Sequence, residues 1–362
     1  MSAYRIAIIP GDGVGNEVAA EAVKILMAVA QKYALDVKTE HFPWGCDYFL
    51  SHGIMMPDDA LDILRAFDAI FLGCIGDGAK VPDHISLSML LAIRKGFDQY
   101  VNLRPIKLYP GVKTPVIKAT PQSVDMVVVR ENTEGEYSAM GGFFKPGSPD
   151  GFATQTAVFT QKGCERVIRY AFDLSRKRKK YDGKPQVGMV TNCTKSNALN
   201  YSMVFWDTVY DQVARDYPDI RTGKALVDAL TMWFVKNPEY FDVIVASNLF
   251  GDIITDLGAM LQGGMGFAAG ANINPEKTHP SMFEPIHGSA PKYTGKAVVN
   301  PIASVESIRL MLEHLGETQA GQDIESAVIE VLQFGAIQTK DMGGRSKTHE
   351  VGDAIRKAIL KA

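Results

Sequence analysis

An α/β fold on a largely parallel sheet is what the patterning of this chain predicts. Short apolar runs alternate with longer segments of helical period, and turn residues punctuate the joins. That rhythm is the signature of strand–helix–strand units. At 362 residues, 46% of them hydrophobic, the chain suffices for one large domain or two moderate ones.

Element by element, Tyr4 to Ile9 reads as a strand and Glu17 to Ala30 as the helix after it. Ala69 to Leu72 and Met126 to Val129 read as further buried strands. Val243 to Ala246 followed by Ile253 to Met260 repeats the strand–helix step. Gly135 to Gly151, rich in glycine, proline and polar residues, lacks helical period and is expected to leave the compact body as an arm or long loop. An amphipathic helix from about Lys162 ends in the basic run Arg176 to Lys180, before Gly183. Cations there favour the negative end of the helix dipole.

The formal net charge of -3 creates no field that gathers nucleic acid or an anionic membrane, so a small-molecule partner is expected. The first apolar run meets Pro10 too soon for a signal peptide or membrane span, which predicts a cytoplasmic protein. Cys46, Cys74, Cys164 and Cys193 form no CxxC pair and are expected to be reduced structural thiols.

Candidate chemistry begins with Asp252 and Asp256, four residues apart where a helix starts. That spacing is about one turn, so both face one way, and a hard cation such as Mg²⁺ or Mn²⁺ would relieve their repulsion. The plain alternative is an acidic first turn. Asp228 stands among apolar neighbours, either on a wet face or held by a cation. Arg94, Arg104 and Arg130 are guanidinium forks suited to carboxylates, although each alone is compatible with a surface ion pair. Tyr137, and Lys195 in the polar, non-periodic stretch Thr191 to Asn197, are proton-transfer candidates or ordinary loop residues. Glu284 to Lys296 reads as a loop whose exposed amides could cradle phosphate. Gly11-Asp12-Gly13-Val14-Gly15 has GxGxG rather than GxGxxG spacing, so the Rossmann fingerprint is absent.

Taken together, these segments resemble the isocitrate and isopropylmalate dehydrogenase family of metal-dependent decarboxylating dehydrogenases over essentially the whole chain. The motifs, in order, are Ile9 to Gly15, Asn102-Leu103-Arg104-Pro105, Val129 to Tyr137, Thr194-Lys195-Ser196-Asn197, Asn248 to Ile253 and Glu284 to Pro291. Val81 to Leu87, Phe97 to Asn102 and Val245 to Phe250 look most like the tartrate and D-malate dehydrogenase subgroup.

The resemblance implies a non-Rossmann, two-domain α/β fold and a homodimer with shared active sites. Residues 1–100 and 255–362 would form the large cofactor domain, and 101–254 the small substrate and dimerisation domain, with an arm around 135–160. Asp252 and Asp256, with Asp228 from the partner, would hold Mg²⁺ or Mn²⁺. Arg94, Arg104 and Arg130 would hold the substrate carboxylates, Lys195 would take the hydroxyl proton and Tyr137 would protonate the product. Glu284, His287, Gly288, Ser289, Ala290, Lys292, Tyr293 and Asn300 would contact NAD or NADP.

Two departures bear on specificity. Lys292-Tyr293 stand where NAD-using members carry an aspartate, and look like the NADP-dependent isocitrate dehydrogenases; Arg345 and Lys347 add positive charge. Leu87 to Leu91 is one residue shorter than in the subgroup and lacks its tryptophan. The subgroup resemblance makes D-malate or tartrate the expected substrate; Leu90 and Leu91, similar to the apolar pocket of isopropylmalate dehydrogenase, and Ser88, similar to the isocitrate enzymes' serine, give 3-isopropylmalate or another 3-substituted malate as the alternative. A catalytically silent regulatory subunit would have lost ligands, yet Tyr137, Lys195, Asp228, Asp252 and Asp256 are present. No nucleic-acid or membrane partner is expected.

Overall fold

A computed structural model describes residues 3–180 and 187–361. The chain opens with β1 (Ala3–Gly11), α1 (Gly15–Tyr33), β2 (Asp36–His41), α2 (Cys46–His52), α3 (Ala60–Leu64), β3 (Ala69–Cys74) and α4 (Asp83–Gly96). Its middle holds β4 (Val101–Lys107), β5 (Asp125–Glu131), β6 (Gly135–Phe144), β7 (Phe152–Val158), α5 (Gln161–Arg178), β8 (Gly188–Thr194), α6 (Ser202–Ala214), β9 (Ile220–Leu226), α7 (Val227–Lys236), β10 (Val243–Ala246) and α8 (Asn248–Leu261). It closes with β11 (Ala269–Ile273), β12 (Ser281–Pro285), α9 (Ile302–Leu315), α10 (Thr318–Phe334) and α11 (Thr348–Lys361).

These elements fall into two compact units. The first comprises Met1–Gln99, Lys107–Pro121 and Ala259–Ala362; the second comprises Tyr100–Ile106 and Gln122–Gly258. In the first, the strand order is β2-β1-β3-β12-β11, parallel except for the antiparallel β11–β12 pair. β3 is buried along its whole length, as an internal parallel strand covered on both faces must be. Ile9, Leu72, Leu90, Ile93 and Phe97 share one apolar core there, and Val14 and Val18 pack on Cys74 in another.

In the second unit the order is β4-β5-β10-β8-β9, with β5, β10, β8 and β9 running parallel. Thr191 to Thr194, expected as a polar non-periodic stretch, lies instead in the fully buried strand β8. Asn192 is absorbed by partners: Trp206 Nε1 donates to Asn192 Oδ1 at 2.7 Å, and Asn192 Nδ2 donates to Asp207 Oδ1 at 2.8 Å. The glycine-rich segment after Gly135 is not a loop but the antiparallel ribbon β6–β7. Most of its residues are exposed, so no alternation of apolar side chains announced it.

The amphipathic helix is α5. Thr160 caps its start by accepting from Gly163 N at 3.0 Å, and Lys179 ends it in left-handed conformation; Gly183 lies outside the described residues. Three members of the basic run at its end are engaged by partners. Arg176 pairs with Asp219, Arg178 with Asp125 and Asp242, and Lys180 donates to the carbonyls of Asp125 and Phe241. All four cysteines are free and buried, and burial pushes the Cys46 and Cys164 thiols up to about 12. Among the described residues no helix is long and apolar enough to cross a membrane.

Candidate active site

β4, β5, β6 and α8 bring five of the predicted residues together within the second unit. Arg130 ends β5 and is 2% exposed; Arg104, in β4, is 5% exposed. Buried guanidinium groups require charged or hydrogen-bonded partners, and Asp252 supplies one to both. Arg130 Nη1 meets Asp252 Oδ1 in a very short contact, Arg104 Nη2 stands 3.3 Å from the same oxygen, and the Tyr137 hydroxyl donates to Asp252 Oδ2 at 3.0 Å. The Arg130 guanidinium also lies 5.5 Å from the centre of the Tyr137 ring.

Three further side chains aim these arginines. Asn248 Oδ1 accepts from Arg130 Nε at 3.1 Å and from Nη2 at 2.7 Å. Asn102 Oδ1 accepts from Arg104 Nε at 2.7 Å, and Thr255 Oγ1 accepts from Arg104 Nη1. Sequence reasoning overlooked all three as site residues, although Asn102 and Asn248 lay inside the motifs. Gly251 is the signal that was available: a Cβ there would stand 2.6 Å from Arg130 Cγ. The helix can pass so close to the arginine only because that side chain is absent.

Asp252 is the fifth residue of α8, whose first turn contains no acid. The pair is therefore not the dipole-stabilised acidic start considered above. Asp256 lies one turn on, facing solvent; desolvation and the like charge of Asp252 raise its pKa, against the pull of Arg104 and Arg130. Two hard oxygen donors repelling each other fit a divalent cation. Among the described residues, however, no group of three or more His, Cys, Asp or Glu side chains could hold a metal ion.

Asp228 is found elsewhere. It stands in the first turn of α7, on a wet face, where Lys195 Nζ donates to its Oδ2 at 2.8 Å. That hydrogen bond depresses the Asp228 pKa.

In the first unit, Arg94 and Glu284 form a pair. Arg94 Nη2 donates to Glu284 Oε1 at 2.8 Å, and Asn272 Nδ2 donates to the same oxygen at 2.8 Å. Glu284 belongs to the buried strand β12 rather than to the loop expected from its neighbours. Arg94 Nε retains no partner.

Also in this unit is a cavity of about 580 Å³ lined by His287, Gly288, Ala290, Tyr293 and Asn300, all predicted, together with Val14, Gly266, Lys340 and Asp341, which were not. Asp341 accepts from Asn300 Nδ2 at 3.1 Å, a link across forty residues that no local motif encodes. Burial pushes the His287 pKa down, Nδ1 engages Gly288 O at 3.1 Å, and Nε2 is enclosed without a partner. An orphaned ring nitrogen beside an aromatic and amide-lined cavity suits a nucleotide. Ser289 and Lys292 flank the cavity, Ser289 bonding to Gly76 O and Lys292 Nζ standing 5.0 Å from the Tyr293 ring centre. Arg345 is exposed, and Lys347 donates to Lys296 O at 3.4 Å.

Residues 5–355 match the profile of the isocitrate/isopropylmalate dehydrogenases. The chain belongs to that family. It is accordingly an oxidoreductase, a decarboxylating hydroxyacid dehydrogenase. It is 47% identical over 363 residues to a probable tartrate dehydrogenase/decarboxylase of Bacillus subtilis, covering all of this chain and 99% of the relative. It is also 46% identical over 368 residues to the decarboxylating D-malate dehydrogenase of Escherichia coli, with full coverage of both. Among solved structures, isocitrate dehydrogenase from Methylococcus capsulatus superposes with a TM-score of 0.88 at 36% identity, covering 99% of each chain. These likenesses fit the dehydrogenase family over the chain's full span, including both units.

Proposed function

We propose that this dehydrogenase oxidises D-malate or tartrate with NADP or NAD and then releases CO₂. The observation that carries the reading is the convergence of Arg104, Arg130 and Tyr137 on Asp252. Carboxylate-binding forks, a phenol and a hard oxygen donor then occupy one place. The relatives from Bacillus subtilis and Escherichia coli, named for tartrate and D-malate, support the choice of substrate.

In this reading Asp252 and Asp256 of one chain and Asp228 of a second copy hold Mg²⁺ or Mn²⁺. The bound cation supplies Lewis acidity to the hydroxyl and neighbouring carboxylate oxygens of the substrate. Arg94, Arg104 and Arg130 grip and orient the carboxylates. Lys195 of the second copy would take the hydroxyl proton, a bound dinucleotide supplying the hydride acceptor, to give a 2-oxo acid with a β-carboxylate. Once CO₂ leaves, Tyr137 hands its proton to the carbon that lost it. The unit built from both chain ends binds the dinucleotide through Glu284, His287, Gly288, Ser289, Ala290, Tyr293 and Asn300. Lys292 and Lys296, 5.0 and 6.0 Å from the Tyr293 ring centre, favour the 2′-phosphate of NADP.

A 3-substituted malate is the second reading, favoured by Leu87 and Ser88 on the exposed part of α4 and by buried Leu90 beneath them. Initial rates with Mn²⁺, run for D-malate, tartrate, 3-isopropylmalate and isocitrate against each dinucleotide, separate the two. D-malate or tartrate turnover that a chelator abolishes is expected; metal-dependent turnover confined to 3-isopropylmalate would replace the first reading with the second. No turnover in any combination would discard both.

A further inference from the structure

The second unit contains a cavity of about 620 Å³ between β8, β9, α7 and the turn that leads to β10, and the chemistry described above leaves it unused. Its walls are apolar and ringed: Trp233, Tyr240 and Phe241 face Leu226 and Ala229. The rings of Tyr240 and Phe241 meet edge to face with centroids 5.4 Å apart, an aromatic wall of the kind that planar molecules pack against.

One polar atom in this lining is unsatisfied. Thr191 is 1% exposed, and its hydroxyl has no hydrogen-bond partner. A buried hydroxyl without a partner is costly enough to need a reason. Gly223 helps to leave it uncovered, since a Cβ there would stand 3.2 Å from Thr191 Oγ. At the rim, Lys224 pairs with Asp207, Asn237 Nδ2 donates to Glu239, and Lys236 and Arg221 lie 5.2 and 5.8 Å from the ring centres of Trp233 and Tyr240.

We propose that this cavity is a binding site for an uncharged, planar heteroaromatic molecule of two or three fused rings, with one hydrogen-bonding group directed at Thr191. The volume lies within the range of small-molecule sites. Aromatic and aliphatic walls select a flat apolar body and make burial of a net charge costly, and the unsatisfied Thr191 hydroxyl selects a polar edge. The site is distinct from the proposed dinucleotide cavity, which is lined entirely by residues of the first unit.

The test is saturation-transfer NMR at neutral pH on the full chain, with benzimidazole and quinazolin-4-one as probes and with NAD⁺ and NADP⁺ each present in excess. Transfer that survives both dinucleotides is expected, with affinity weakened about fivefold or more by Thr191→Val, as loss of a buried hydrogen bond implies. Tyr240→Ala, at the exposed rim, gives an independent variant should the buried substitution disturb folding, and is expected to weaken binding similarly. Three results would overturn the proposal: no transfer from either probe, loss of transfer when a dinucleotide is added, or equal affinity in wild type and both folded variants. The first includes the case in which a second copy of the chain closes the cavity.

Discussion

Asp252 accepts from Tyr137 while facing two buried guanidinium groups, and this arrangement makes the phenol separable from the rest of the site. Tyr137→Phe removes only the hydroxyl, because the ring beside Arg130 is retained. The proposed role predicts a loss of roughly 100-fold or more in overall turnover, typical of a missing proton donor. A 2-oxo acid that keeps its β-carboxylate should build up at the expense of decarboxylated product, because an enolate left unprotonated can recapture CO₂. Product analysis by chromatography checks this; unchanged partitioning would remove Tyr137 from the protonation step. Residues of this kind were visible in the sequence because their chemistry is explicit. Asn102, Asn248 and Thr255 were harder to see, since an amide or hydroxyl becomes a positioning group only when folding places it against Arg104 or Arg130.

At the scale of elements, parallel strands with continuous apolar runs were legible, β3 and β10 most plainly. β8 and the β6–β7 ribbon were not, for opposite physical reasons. β8 buries polar side chains that find partners on α6, so its hydrophobic pattern is interrupted. The ribbon exposes both faces over most of its length, so pattern never had to develop. The approach of α8 to β5 is equally specific: it depends on Gly251. Gly251→Ala drives a methyl into Arg130, 2.6 Å from its Cγ. A loss of about 1–3 kcal/mol in stability is expected from such overpacking, with a higher KM for the hydroxyacid as Arg130 is displaced. Urea unfolding and steady-state kinetics measure the two effects; a variant indistinguishable in both would show that α8 yields freely.

For the whole molecule, pH dependence of stability has an identifiable contributor in His314. Burial, helped by the charge of Lys277, lowers the His314 pKa from 6.5 to about 4, and its ring packs on Phe283. Between those values the unfolded chain binds a proton that the folded chain refuses, so this residue makes stability fall as pH drops from 6.5 towards 4. His314→Gln should flatten that part of the curve, as read from urea midpoints at pH 7 and pH 5; an identical slope would assign it to other groups.

The separation of Lys195–Asp228 from Asp252–Asp256 also has a genetic meaning. If each catalytic centre draws one pair from either chain, two null alleles can rescue one another. Lys195→Met and Asp252→Asn homodimers would both be dead, but a mixed dimer would contain one wholly intact centre. Random pairing upon co-expression should then restore about one quarter of wild-type specific activity. A dead mixture would instead mean that every centre is assembled within a single chain.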